Sequence, residues 1–218
     1  MANVKPITIY VHGGGGPNPF KVLIALEELG IPYQKIEIED PKSESYLKVN
    51  PNGRLPAIID PNHDNFTIWE SGAIVEYLVE TYDKDGKLTV PDWKGKWLLK
   101  QYLHFQMSGQ GPYYGQAVWF HRQTEDNQTG KVRYLEQVVR VFGVLDDILK
   151  DRDYLVGGKF TYADLAFIPW NRIALNAPFF SSQLWEKYEI ETRFPNFLAW
   201  HQRINSRPSV KAAYEPQS

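Results

Sequence analysis

Asn50-Pro51-Asn52-Gly53-Arg54-Leu55-Pro56-Ala57-Ile58-Ile59, followed a short hairpin later by Trp69-Glu70-Ser71-Gly72-Ala73-Ile74, decides how this chain is read. The first stretch is a turn leading into a strand: Asn50-Pro51-Asn52-Gly53 has turn chemistry, and Ala57-Ile58-Ile59 is a short apolar run. The second is a strand that runs straight into a helix, with Ser71 at the cap and apolar Ile74, Tyr77 and Leu78 behind it. A peptide can use both. If the bond before Pro56 is cis, Leu55 turns its N–H and C=O outward, and an extended peptide can pair with them as with a sheet edge. A carboxylate suits the helix start at Ser71, where N–H groups, the hydroxyl and the dipole converge. Glu70 beside it can hold an ammonium. The ligand these stretches suit has a peptide middle, an α-carboxylate and an α-amine.

Working outward, the first part of the chain alternates. Ile7 to Val11 is an apolar strand. Pro19 to Leu29 is helical, with Val22, Leu23, Leu26 and Leu29 on one face and Gly30 as the stop. Tyr33 to Glu39 alternates Ile36 and Ile38 with charges and reads as a strand. The strand at Ala57, a turn through Asn62 to Asn65, the strand Phe66 to Trp69 and a helix to about Tyr82 follow. The order βαβ then ββα predicts a thioredoxin-like domain over residues 1–83. Residues 84–92 are polar, carry Gly86 and Pro91, and read as a linker. Beyond them, 93–218 is helical throughout, so the fold class is α/β plus all-α. Trp93 to Met107 forms one helix, interrupted by Gly109, Gly111 and Pro112, and another begins near Gly115. Gly130 to Leu149 carries a stripe of Val132, Leu135, Val138, Val139, Phe142, Leu145 and Ile148. At Thr161-Tyr162-Ala163-Asp164 a threonine caps a helix while Asp164 reaches back to its amide, and Phe160 staples to Leu165. Short helices at Trp200 to Arg203 and Pro208 to Tyr214 finish the chain. Trp97, Trp185 and Trp200 are expected in the core, and His104 is expected to pack within its helix.

A chain of 218 residues can bury a good core in one large domain or two small ones. The net charge of −2 supplies no electrostatic reason to expect nucleic acid or an anionic membrane as partner. No apolar run is long enough to span a bilayer, and the first residues lack a signal-type apolar segment, so the expected place is the cytoplasm. There is no cysteine. That excludes disulfides, thiolate metal sites and a protein thiol nucleophile, so any sulfur chemistry uses sulfur from the ligand. The histidines show no zinc or hydrolase spacing, and no metal site is expected.

The two opening stretches resemble the glutathione-binding signature of the cytosolic glutathione transferases. Such an enzyme must hold the glutathione thiol as thiolate, and the group that does so sits at the start of the first helix, where the dipole favours negative charge. Here that region is Tyr10-Val11-His12-Gly13-Gly14-Gly15-Gly16-Pro17-Asn18-Pro19-Phe20-Lys21-Val22. It contains no serine or cysteine, and the face of Tyr10 is left open. Asn18 reads two ways: as an ordinary helix cap, or as an amide that donates to the thiolate. Its setting is similar to that of the fungal glutathione transferases related to the yeast nitrogen-catabolite regulator, and of the bacterial nu class. Phe105-Gln106-Met107-Ser108-Gly109-Gln110-Gly111-Pro112-Tyr113-Tyr114 and Asp164-Leu165-Ala166-Phe167-Ile168-Pro169-Trp170-Asn171 carry the same likeness, which runs from about Ile7 to about Ala213.

What the resemblance implies is specific. Glutathione is the co-substrate. Asn18 is the catalytic, thiol-facing residue. Leu55, next to Pro56, is the backbone clamp, and Arg54 lies near the glycine end. Glu70 and Ser71 hold the γ-glutamyl end, and Arg133 reaches the tripeptide across a homodimer interface. Tyr113, Tyr114, Trp119 and Phe120 line the pocket for a small hydrophobic or disulfide second substrate. The bacterial group has a threonine two residues before the asparagine, where this chain has Gly16. The expected activity is thiolate attack on small electrophiles, peroxides or disulfides, a detoxification chemistry. The alternatives are a glutathione-dependent disulfide reductase and a non-catalytic glutathione-binding protein.

Overall fold

The computed structural model describes residues 4–13, 16–178 and 181–215. Residues 1–3 and Gly14-Gly15, parts of the terminus and loop read above, lie outside the described residues. The chain divides into two units. One runs to Thr89 and takes in the chain again from Arg207, and the other is Val90–Ser206.

The first unit is built on four strands, β1 (Ile7–Val11), β2 (Tyr33–Glu37), β3 (Ala57–Asp60) and β4 (Phe66–Trp69), in the order β2-β1-β3-β4. β1 is parallel to β2 and antiparallel to β3, and β3 is antiparallel to β4. The period of two along β1 sorts its side chains. Ile7, Ile9 and Val11 are buried, while Tyr10 turns to the other face and meets the Tyr46 ring edge-on at 5.6 Å. Tyr10 therefore joins a small cluster of Tyr46, Leu55 and Ala57. Helix α1 (Pro17–Leu29) stops at Gly30, whose φ of 64° is the left-handed cap that glycine takes most readily. A four-residue helix α2 (Glu44–Leu47), too short to show a period, follows β2. Helix α3 is Ser71–Tyr82.

In the second unit α4 (Trp93–Phe105) passes through a π-helical turn, Gln106–Gln110, directly into α5 (Gly111–Arg122). The Gly/Pro cluster thus re-registers the helix instead of interrupting it. Pro112 has no N–H for the normal ladder, and the amide of Gly111 reaches the Gln106 carbonyl one residue further back than an α-helix allows. A buried amide chain holds the turn: Gln106 donates to Gln110 at 3.0 Å and Gln110 donates to Asn171 at 2.7 Å. Helix α6 (Gln128–Leu149) packs on α5, and α7 (Tyr162–Asn176) is buried along most of its length. α8 (Ser181–Tyr188), α9 (Ile190–Arg193) and α10 (Pro195–Asn205) complete the bundle. Asp164 accepts from the amides of Thr161 and Leu155 and from the Trp200 indole, each at 2.9 or 3.0 Å, so the cap residue also ties three segments together.

The last helix, α11 (Pro208–Tyr214), belongs with the first unit, not with the bundle that precedes it. It packs on α1: Phe20 stacks on Tyr214 at 3.8 Å, and Glu28 accepts a two-pronged bond from Arg207 at 2.5 and 3.0 Å and another from Ser209. Two aromatic expectations are also corrected. Trp200 is core, but Trp97 is 57% exposed and Trp185 is half-exposed, because a helical stripe needs only part of the circumference. His104 likewise faces solvent on α4.

Candidate functional site

The β3–β4 ladder ends at the pair Ala57↔Trp69. Leu55-Pro56 and Glu70-Ser71 leave that same end, so segments far apart in sequence become neighbours through the antiparallel register. The Leu55–Pro56 peptide is cis, and both residues are buried. The turn before them is pinned from inside. The carbonyl of Arg54 accepts from Asn50 Nδ2 at 2.7 Å and from the Tyr46 hydroxyl at 2.8 Å, while the Gly53 amide donates to the Asn50 carbonyl at 2.9 Å. Burial pushes the Tyr46 phenol up to about 12, so it stays a donor at neutral pH. With its backbone so held, the Arg54 side chain projects into solvent. Lys42 lies against Gly53 and donates to the Asn52 carbonyl at 2.8 Å, a second cation at this turn that the sequence patterns did not single out.

Ser71 is the first residue of α3 and is 2% exposed. Glu70 before it has φ 73° and ψ 113°, a conformation that costs a non-glycine residue roughly 1–3 kcal/mol. It turns the chain sharply from strand to helix, leaving the Glu70 side chain exposed and Ser71 inside. Behind Ser71 stands Lys21 of α1, 1% exposed, its Nζ donating to Ser71 Oγ at 3.2 Å. Burial pulls the Lys21 amine down to about 7, while the charge of Glu70 works the other way. Sequence reading missed Lys21. The signal available was a lysine flanked by Phe20 and Val22 at the edge of the apolar stripe of α1.

Asn18 lies three residues before Lys21 on α1, hence on the same side of the helix, and is half-buried. It is not the helix cap. That place is taken by Gly16, in extended conformation, with Pro17 first and Asn18 second in the helix. The start of α1 is poor in backbone donors, because Pro17 and Pro19 carry no N–H. Phe20 uses its amide on the Gly16 carbonyl at 3.3 Å. Asn18 carries a main-chain N–H and a side-chain NH2 at this end of the helix, where the dipole favours an anion.

The remaining candidates lie in the second unit. Tyr114 is fully buried on α5, edge-on to Phe142 and Trp170, so it is a core residue. Tyr113 is half-buried, with the Arg140 guanidinium 5.8 Å from its ring. Phe120 stacks on Tyr134 at 5.3 Å and lies so close to Gly130 that a Cβ there would meet the ring at 2.4 Å. Trp119 is exposed, and Arg133 points outward from α6. Among the described residues no three His, Asp or Glu side chains come together as a metal set. No helix among them is long and apolar enough to cross a membrane.

Residues 6–80 match the family model for the glutathione S-transferase N-terminal domain, and residues 110–208 match that for the C-terminal domain. The chain is 46% identical to glutathione S-transferase 2 of Schizosaccharomyces pombe, over 95% of this chain and 94% of that one. It is 43% identical to the glutathione transferase URE2P6 of Phanerochaete chrysosporium, whose crystal structure holds oxidized glutathione; the TM-score is 0.88, covering 98% of this chain and 97% of that one. It is 38% identical to Ure2p5 of the same fungus, cocrystallized with 1-(S-glutathionyl)-2,4-dinitrobenzene, with a TM-score of 0.86 over 97% and 94% of the two chains.

Proposed function

The chain belongs to the glutathione S-transferase family, and from that premise we propose that it activates the glutathione thiol at the start of α1 for attack on small electrophiles. The observation that carries this reading is the ladder end at Ala57↔Trp69, where Leu55-Pro56 and Glu70-Ser71 leave side by side with Lys21 behind Ser71. The peptide middle of glutathione lies along Leu55. Its γ-glutamyl carboxylate docks at Ser71 and the start of α3, its amine at Glu70, and its glycine carboxylate near Arg54. Sulfur then comes to Asn18. The thiol gives up its proton to solvent, and the thiolate forms a C–S bond to the electrophilic carbon while the leaving group departs with its electron pair. The enzyme contributes position and a depressed thiol pKa. For the second substrate the reading narrows to the accessible aromatics Tyr113, Trp119 and Phe120, since Tyr114 is sealed in the core.

A homodimer in the cytoplasm completes the proposal, with Arg133 reaching the partner's glutathione. The exposed indoles of Trp93 and Trp97 on α4 give an apolar surface that a second copy would cover, which sedimentation of the purified protein tests. A second reading, glutathione-dependent disulfide reduction, is favoured by one observation. The similar URE2P6 holds oxidized glutathione, and a chain with no cysteine cannot itself be trapped as a mixed disulfide. The deciding experiment follows the ultraviolet band of bound thiolate against pH, with turnover of a chlorodinitrobenzene and of a mixed disulfide, in wild type and Asn18→Ala. Loss of a charge-assisted bond predicts a bound-thiol pKa higher by about 1–2 units and turnover lower by roughly ten- to a hundredfold. Unchanged turnover removes Asn18 from the chemistry. Binding with neither thiolate nor turnover leaves a binding protein.

A further inference from the structure

We propose that Lys21 is a positioning residue for the carboxylate end of the ligand: it acts through the Ser71 hydroxyl, and carboxylate binding is coupled to uptake of a proton by its amine. This rests on the reading that glutathione docks at Ser71. The geometry that supports it is the bond from Lys21 Nζ to Ser71 Oγ, 3.2 Å long and buried at both ends. An ammonium behind a hydroxyl polarises it, and a donor polarised from behind is a stronger donor. Ser71 is the first residue of α3, so when the ligand docks its hydroxyl and the helix N–H groups serve the same anion.

The fold alone does not require an amine here. An unbranched apolar side chain of the same length would fill the space without the desolvation penalty that a buried ammonium carries. The charged and titratable groups on the elements packed against α1 are Glu70, Glu76, Tyr77, Glu80 and Tyr82 at and along α3, and Arg207, Lys211 and Tyr214 at and along α11. Glu70, at the start of α3, is the one whose charge bears on Lys21. On α3 itself Tyr77 donates to Asp60, and on α11 Arg207 is taken up by Glu28 while Tyr214 stacks on Phe20 and Lys211 adds a positive charge. β1 adds Tyr10, turned toward Tyr46, and His12 follows it, exposed. In the empty protein, burial leaves the amine half-charged near pH 7. A carboxylate arriving on the far side of Ser71 favours the charged form, so the amine takes up a proton as the ligand binds.

The test is calorimetric titration with S-methylglutathione, whose blocked thiol removes the competing sulfur proton. It is run at about pH 8 in two buffers of different ionisation enthalpy and repeated across pH. The expected result is uptake of about half to one proton per site, with affinity level below pH 7 and falling roughly tenfold between about pH 6.5 and 8.5. In Lys21→Met the uptake disappears and the affinity becomes level with pH. Tight binding without proton uptake by wild type overturns the proposal while leaving the docking at Ser71 intact. Uptake that persists in Lys21→Met also overturns it. Absence of any binding at every pH overturns the docking itself and this inference with it.

Discussion

Replacing Lys21 by methionine should stabilise the empty protein, and by an amount that depends on pH in a defined way. The lysine amine is lowered from an ordinary 10.5 to about 7 by burial. Between those two values the unfolded chain holds a proton that the folded chain does not. Wild-type stability therefore climbs with pH across that window, and it is lowest and level below about 7, where the buried ammonium carries its full penalty. Methionine has nothing to titrate at the same place, so the difference between the two proteins isolates Lys21. Each pKa unit corresponds to about 1.4 kcal/mol, so the advantage of the variant should be greatest at pH 6 and roughly 3 kcal/mol smaller at pH 9. A constant offset is superimposed, because methionine cannot donate to Ser71. Urea unfolding followed by tryptophan fluorescence, at one protein concentration and several pH values, measures the difference. A stability difference that stays level from pH 6 to pH 9 would refute the reasoning, since it would mean that the amine is as solvated in the folded chain as in the unfolded one.

Three further outcomes are expected. Asp164→Ala leaves the Leu155 amide, the Thr161 amide and the Trp200 indole without their buried acceptor; at about 1–3 kcal/mol each, melting should fall by on the order of 10 °C, read by calorimetry. Gly53→Ala must place a Cβ at φ 58° only 2.7 Å from the Pro41 carbonyl, so it should cost about 2 kcal/mol of stability and raise KM for glutathione more than it lowers kcat, because it moves the turn that carries Arg54 and Leu55. Gly16→Thr fits the extended cap position, where the new Cβ, among the described residues, meets the exposed His12 ring at 3.3 Å and Pro19 Cδ in ordinary contact at 3.7 Å. It should change stability by about half a kcal/mol or less while adding a hydroxyl at the start of α1, and the ultraviolet titration of bound glutathione should then shift to lower pH.

Elements whose cause is local were legible in the residues. The apolar run of β1, the stripe of α6, the Gly30 stop and the Asp164 cap each follow from a period or a side-chain donor set within a few positions. Where the cause lies across the fold, sequence reading stopped short. Tyr10 could not be assigned a face until β3 and Tyr46 were in place. Pro112 reads as a breaker, and only the amide chain through Asn171, 61 positions from Gln110, shows how the helix carries on past it. The last helix is legible as a short helix over Pro208 to Tyr214, but its partner, α1 of the first unit, is not.

From the residues alone came the family resemblance, the two-part architecture and the expected chemical type of each end of the ligand: a clamp at Leu55, an anion site at Ser71 and, through the resemblance, a donor at Asn18. Those depend on turn chemistry, helix starts and donor inventories, which are properties of short segments. What only the folded chain decided is the surroundings of each group. Lys21 shows on paper no more than apolar neighbours and is a buried amine in the structure, because the dielectric around a charge is set by every segment that closes over it.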